Sequence, residues 1–267
     1  MKLNIKEAVK FPFTTDGWKQ KLLIGGLFYL GMGLLQFPFR IINSLPKNVL
    51  HDLISSLNIM PIGYKIAVIA FAVILIIASV IISAFPQGYI LQTINYQING
   101  NNNVLPQWKT FFSQYLRYGL IIWLINFIYG LVLLLILAIP TIIFIALFWA
   151  KNMVIFWILQ ILYTLLVILA FACISPFIMV MYSKKFNFTE AFNISEMLKR
   201  ISKAPGEYFV SILISIVFSC IVAFLSVILT CTCIGAWIPF FLMLPTTIII
   251  MHLYAQTYNI SEQTLEN

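Results

Sequence analysis

An all-α bundle that crosses a membrane about six times is the fold class this sequence predicts, and three observations predict it. Residues 66–108, 118–150, 152–183 and 208–261 contain no Asp, Glu, Lys or Arg, and Ile, Leu, Val, Phe and Ala dominate them. The composition agrees, with 62% hydrophobic and 9% charged residues and a mean hydropathy of +1.00. The runs are also apolar on every side, whereas strands of a membrane barrel would alternate apolar and polar residues over about 10 positions. Apolar runs of about 18 residues or more read as spans. In lipid each backbone N–H and C=O needs a partner inside its own segment, so these spans are helices.

In chain order the spans fall at residues 20–42, 65–92, 117–148, 153–182, 207–231 and 234–258, within one integral domain covering 1–267. The first begins near Leu22, behind a polar stretch holding Lys2, Lys6, Lys10, Lys19 and Lys21. It carries no small-residue cleavage pattern, so it reads as a retained helix. Residues 48–58 put Val49, Leu50, Leu53, Ile54 and Leu57 on one face and Asn48, His51, Asp52 and Ser55 opposite. That pattern suits a helix lying flat on the outer leaflet, or a lid. The third span is long: its 32 residues would reach ~48 Å against a hydrocarbon core of ~30 Å. Pro140 lies inside it and removes a backbone donor, so this helix tilts, projects beyond the membrane or divides in two.

Orientation follows from lysine and arginine. With the N-terminus inside, the inner segments carry twelve of these residues, and the outer loops carry four: Arg40, Lys47, Lys65 and Lys151. Both termini are therefore expected in the cytoplasm, and the sequon-like triplets at Asn187, Asn193 and Asn259 on the unglycosylated side. A net charge of +8 borders apolar runs here, which points to anionic lipid head groups and away from nucleic acid.

Each odd-numbered span follows an inner segment of amphipathic pattern. The first has Ile5, Ala8 and Val9, then Pro12, then Asp16 as a cap ahead of Trp18 and Lys19. The second sets Trp108, Phe111, Phe112, Tyr115 and Tyr118 at helical spacing, with Lys109, Ser113 and Arg117 on another face. In the third, Ile194, Met197, Leu198 and Ile201 form the apolar face and Glu196, Lys199, Arg200 and Lys203 the polar one, with Thr189 as N-cap and Pro205-Gly206 as terminator. Such helices lie in the interface with their lysines toward head groups. The even-numbered spans each hold an interior proline, Pro86, Pro176 and Pro245, and end in tyrosines: Tyr89 and Tyr96, Tyr182, Tyr254 and Tyr258. Three copies of one unit, an interfacial helix followed by a helical hairpin, would account for this arrangement.

Trp18 with Lys19 and Lys21, then Gly25-Gly26, Gly88-Tyr89, Leu105-Pro106-x-Trp108 and Gly119 follow in order, with Ala191-Phe192 and Tyr254-Ala255-Gln256 later. The ordered set resembles a family of bacterial and archaeal multi-pass membrane proteins catalogued as a domain of unknown function. The resemblance implies an integral membrane protein and no particular activity. Two features depart from the pattern: the stretch 43–63, and Lys109 where acidic residues are frequent.

Intramembrane chemistry normally rests on ionisable side chains held away from lipid. The eight acids, Glu7, Asp16, Asp52, Glu190, Glu196, Glu207, Glu262 and Glu266, all fall outside the helix cores. This pattern argues against a proton relay and against a two-aspartate protease, so no enzyme is expected. His252 faces a cavity, or is a neutral ring near the inner interface satisfied by backbone or water. Cys231-Thr232-Cys233 offers two soft ligands where a metal site needs three or four, so no metal and no cofactor are expected. Pro86, Pro176 and Pro245, with Gln87, Thr246 and Thr247, could line a path for a neutral solute, because a proline frees a carbonyl in its own helix; the alternative is helix shaping for packing. The leading expectation is a non-enzymatic membrane module. It would organise lipids or a membrane-protein partner through Trp18, Lys19, Lys21, Trp108, Lys109, Arg117, Lys199, Arg200 and Lys203. A carrier or channel for a neutral or lipid-like solute, using Pro86, Gln87, Pro176, Pro245, Thr246 and His252, is the alternative.

Overall fold

The structure, a computed structural model, describes residues 3–100, 105–109, 112–148, 153–232 and 237–266. It is an all-α polytopic bundle. Helices α1 (Ile5–Thr14), α2 (Trp18–Ser44), α3 (Lys47–Ile59), α4 (Ile62–Ile98) and α5 (Phe112–Phe148) are followed by α6 (Met153–Lys185), a 3₁₀ turn (Phe188–Phe192), α7 (Ile194–Lys203), α8 (Pro205–Thr230) and α9 (Ile238–Glu266). Six of these, α2, α4, α5, α6, α8 and α9, are long and apolar enough to cross a membrane. An even number of crossings puts both chain ends on one side, where they are joined. The Asn4 N–H donates to Gln256 Oε1 at 2.8 Å, and Gln256 Nε2 donates to the Asn4 carbonyl at 3.3 Å. This is called the near end below, and the opposite side the far end.

Pro140 does not divide the third span: α5 runs unbroken through it. Proline removes the donor for the carbonyl four residues earlier, that of Ile136. Tyr163 of α6 supplies the missing partner, its hydroxyl donating to the Ile136 carbonyl at 2.7 Å. Near Pro176, Tyr208 of α8 donates to the Cys173 carbonyl at 2.8 Å and ties α8 to α6.

The buried core lies at the near end. It takes in Ser83–Ile94 except Gln87, then Tyr115, Ile122 and Ile125, Phe177–Ser183, and most of Leu244–Ser261. Two glycines set its closest crossing. A Cβ on Gly88 would fall within the backbone of Tyr115, and one on Gly119 within the backbone of Ala84. α4 and α5 thus meet backbone to backbone, as small residues allow in membrane helices. Gly25 and Gly26 likewise admit the side chains of Leu244 and Phe241, which seats α2 on α9. Far-end residues such as Phe71, Ile142 and Phe224 remain more than half exposed.

The inner segments differ from one another. The first and third form short helices, α1 and α7. The second does not: residues 105–107 are irregular, Trp108 and Lys109 make a turn, and α5 begins at Phe112, with Phe111 outside the described residues. Aromatic residues expected on an interfacial face are core instead, with Trp108 6% and Tyr115 0% exposed. The caps also differ from expectation. Asn4 caps α1 by accepting from the Glu7 N–H. Gly17, in a left-handed conformation at φ 67°, precedes α2, and no side chain caps that helix, so Asp16 does not. Asn187 caps the 3₁₀ turn and Asn193 caps α7, in place of Thr189. Pro205 opens α8, where its missing N–H costs nothing. The residues 48–58 form the body of α3, whose His51 and Asp52 side chains are 84% exposed; the side chains of Leu53, Ile54 and Leu57 lie outside the described set.

Candidate functional site

The near end is assembled around the Leu105–Lys109 loop. Trp108 stacks on Tyr89 with centroids 4.3 Å apart and planes 8° from parallel, and Phe28 stacks on Trp108 at 5.3 Å. Its indole Nε1 donates to the Lys21 carbonyl at 2.9 Å, and Lys21 Nζ donates back to the Leu105 carbonyl at 2.8 Å. Tyr89 and Tyr115 donate to the carbonyls of Pro106 and Gln107, at 3.2 and 2.9 Å. A loop with few backbone partners of its own is thereby satisfied by side chains of α2, α4 and α5. Trp108 is a core anchor, which corrects its assignment to the lipid-facing set.

Between this loop and the α1–α2 junction lies a cavity of about 600 Å³, with Thr15, Asp16, Lys21, Ile24, Trp108 and Lys109 in its lining. Lys21 is half-buried, and Lys109 and Asp16 are exposed. Trp18 is half-buried, edge-on to Phe13 at 5.4 Å, with Lys19 Nζ 5.7 Å from its ring centroid.

A second cavity of about 270 Å³ opens beside α7, lined in part by Lys184, Lys185, Glu196, Arg200 and Tyr258. Arg200 is 9% exposed. Its Nε lies 2.8 Å from Glu196, its Nη2 lies 3.9 Å from Glu262, and its guanidinium sits 4.3 Å over the Tyr258 ring. Lys184 pairs with Glu262 and sits 5.2 Å from the same ring. Burying a cation requires partners of this kind, so Arg200 docks α7 on α9 and does not face lipid, a second correction. Asn95 of α4 donates to the carbonyls of Ser183 and Lys184 at 2.8 and 3.1 Å, closing the C-terminal end of α6. Lys19, Lys109, Arg117, Lys199 and Lys203 are exposed, around the rim of the near end.

The proline set is not gathered around either cavity. Pro86 and Pro245 are buried, Pro176 and Gln87 half-buried. Thr246 and Thr247 turn their hydroxyls onto their own helix, donating to the carbonyls of Leu242 and Met243 at 2.7 and 2.8 Å. His252 is 2% exposed, with its ring 4.7 Å from that of Phe11. Cys231 is exposed next to Thr232, whose hydroxyl bonds the Leu229 carbonyl; Cys233 lies outside the described residues.

Thr15, Gln107, Lys184 and Glu262 were not singled out by the sequence. Glu196 and Arg200, and Tyr258 and Glu262, stand four apart and so share helix faces. That spacing was available as a signal for α7 and α9. Nothing local announces that residue 21 meets residue 105.

The comparisons with curated proteins and with solved structures return no match. A family model described as "Protein of unknown function (DUF4013)" matches residues 71–231. The match takes in the glycine crossing and the docked loop, with Gly88-Tyr89, Gly119 and Leu105-Pro106-x-Trp108, and also Ala191-Phe192 of the 3₁₀ turn. The chain is a multi-pass membrane protein and belongs to this family of proteins of unknown function.

Proposed function

We propose that this protein is a non-enzymatic module of the cell membrane that gathers anionic lipids at its near end, with both termini in the cytoplasm. The observation that carries this reading is the seating of α7. Met197 and Arg200 face the bundle, Ile194 and Leu198 are exposed on one flank, and Lys199 and Lys203 are exposed on another. A helix seated this way has an apolar flank for acyl chains and a basic flank for head groups. Eleven of the fourteen basic residues among the described residues lie on the near side, which supports the cytoplasmic orientation. The non-enzymatic reading follows from the placement of the acids outside the helix cores.

The test is native mass spectrometry of the protein ejected directly from membrane vesicles. Retained anionic lipids are expected, and replacing Lys199 and Lys203 with Gln should weaken their retention by about 1 kcal/mol per charge. Unchanged retention overturns the reading. A chain carrying one defined neutral solute overturns it in favour of a carrier.

A further inference from the structure

We propose that the cavity at the start of α2 binds the phosphodiester of a phospholipid and holds one lipid molecule against the near end. The proposal rests on the lipid-gathering reading above and names the site and the group it takes.

Four observations converge there. Gly17 turns the chain into α2, and no side chain caps that 27-residue helix. The Trp18 and Lys21 amides bond the carbonyls of Thr15 and Gly17. Between them lie the amides of Lys19 and Gln20, in the turn where helical amides have no partner inside the helix and the helix end is electropositive. Independently, Thr15 lines the cavity, is 5% exposed, and has a hydroxyl that meets no hydrogen-bond partner among the described residues. A buried hydroxyl is normally bonded, and a phosphate oxygen would accept from it. Lys21 lines the same space and uses one ammonium donor on Leu105, leaving two of three free. Lys109 is exposed at the rim.

The charge of the lining selects the ligand. Two lysines and one aspartate line the cavity, a net charge of one positive unit. That matches a singly charged phosphodiester, whereas Asp16 opposes a polyphosphate. Ile24 and Trp108 supply an apolar wall, which suits the glycerol end of a lipid and offers nothing to free phosphate.

The experiment uses the full chain in neutral detergent, titrated and read by native mass spectrometry. The probes are phosphatidylglycerol, a diacylglycerol with the same acyl chains, and inorganic phosphate. One phosphatidylglycerol per chain is expected, bound at least about tenfold more tightly than the diacylglycerol, with inorganic phosphate a weak competitor. Thr15→Val and Lys109→Gln should each weaken that event about tenfold. Lys47→Gln, on α3 and outside the cavity lining, should leave it unchanged. Equal binding of the diacylglycerol overturns the proposal, as does occupancy by inorganic phosphate as tight as by lipid. Unchanged affinity in Lys109→Gln, an exposed position that keeps the test decisive should Thr15→Val fail to fold, overturns it as well. If the α7 lysines alter lipid retention and the cavity residues do not, this site falls while the lipid-gathering near end stands. If neither set alters retention, both readings fall.

Discussion

α4 contains both halves of this molecule in one helix. Its first part exposes Ile66, Ile69, Phe71, Ile74 and Ile77 by more than half, while its last part buries Phe85, Tyr89, Ile90, Leu91 and Ile94. Both stretches are strongly apolar, so hydrophobicity does not separate them. What separates them is the glycine at the crossing, Gly88, and the company of polar residues. The near-end stretch includes Ser83, Ala84, Gly88, Gln92 and Thr93, and the far-end stretch is mostly Ile, Val, Phe and Ala. In lipid, apolar side chains gain little by leaving the acyl chains for one another, and helices associate through close backbone approach and hydrogen bonds. The near end has both and the far end has few of either. The accessible surface, 16158 Å², exceeds the roughly 12,000 Å² of a compact soluble protein of this mass.

That contrast can be broken first at Trp108. Trp108→Ala should destabilise the detergent-solubilised protein by about 3–5 kcal/mol, since it removes a buried, stacked ring and its indole bond to the Lys21 carbonyl. Phe224→Ala at the far end should cost under about 0.5 kcal/mol. Equal melting-temperature losses would erase the distinction. Next are the glycines. Gly88→Ala and Gly119→Ala should each cost at least about 1–3 kcal/mol by overpacking, because the obstacle is backbone and cannot rotate away. Gly130→Ala, with open space around it, should be neutral or slightly stabilising, as thermal unfolding of the three variants would reveal. The Arg200 cluster supports a smaller effect. Glu262→Gln should cost about 1–2 kcal/mol, since Lys184 and Glu262 keep about a third of their side-chain surface exposed and solvent screens the pair. The loss should appear as faster proteolysis around α7. Smallest is Tyr163→Phe, which strips the Ile136 carbonyl of its partner and should cost about 0.6 kcal/mol, readable as a lowered unfolding midpoint. A large loss there would mean that the far half depends on specific bonds after all.

The spans were legible in the sequence because a charge-free run of that length has one stable form in lipid. The short inner helices were legible where capping and periodicity coincide, as for α7. They misled where aromatic residues at helical spacing turned out to be core, as at Trp108 in a turn and Tyr115 in the first turns of α5. Trp and Tyr serve equally in an interfacial belt and in a buried core, and only the partner of the indole N–H tells the two apart. Arg200 misled for a related reason: an arginine on an amphipathic helix reads as solvated until an acid from another helix is found beside it. The resemblance picked out Gly88, Gly119 and Trp108 as a pattern without a reason. The structure supplies the reason, a backbone crossing and a docked loop.

By itself the sequence determined the helical class, the number of crossings and the shared side of the two termini. Each is a property of a segment against its solvent, set by the cost of unsatisfied backbone and buried charge in hydrocarbon. Only the tertiary structure decided which end of the bundle is packed, which cations are buried and which stay exposed, and that α2 opens uncapped onto a cavity. Those outcomes depend on pairs far apart in the chain, Lys21 with Leu105, Lys184 with Glu262 and Gly88 with Tyr115. A local pattern says what each of these residues can do, and the fold supplies the partner with which it does it.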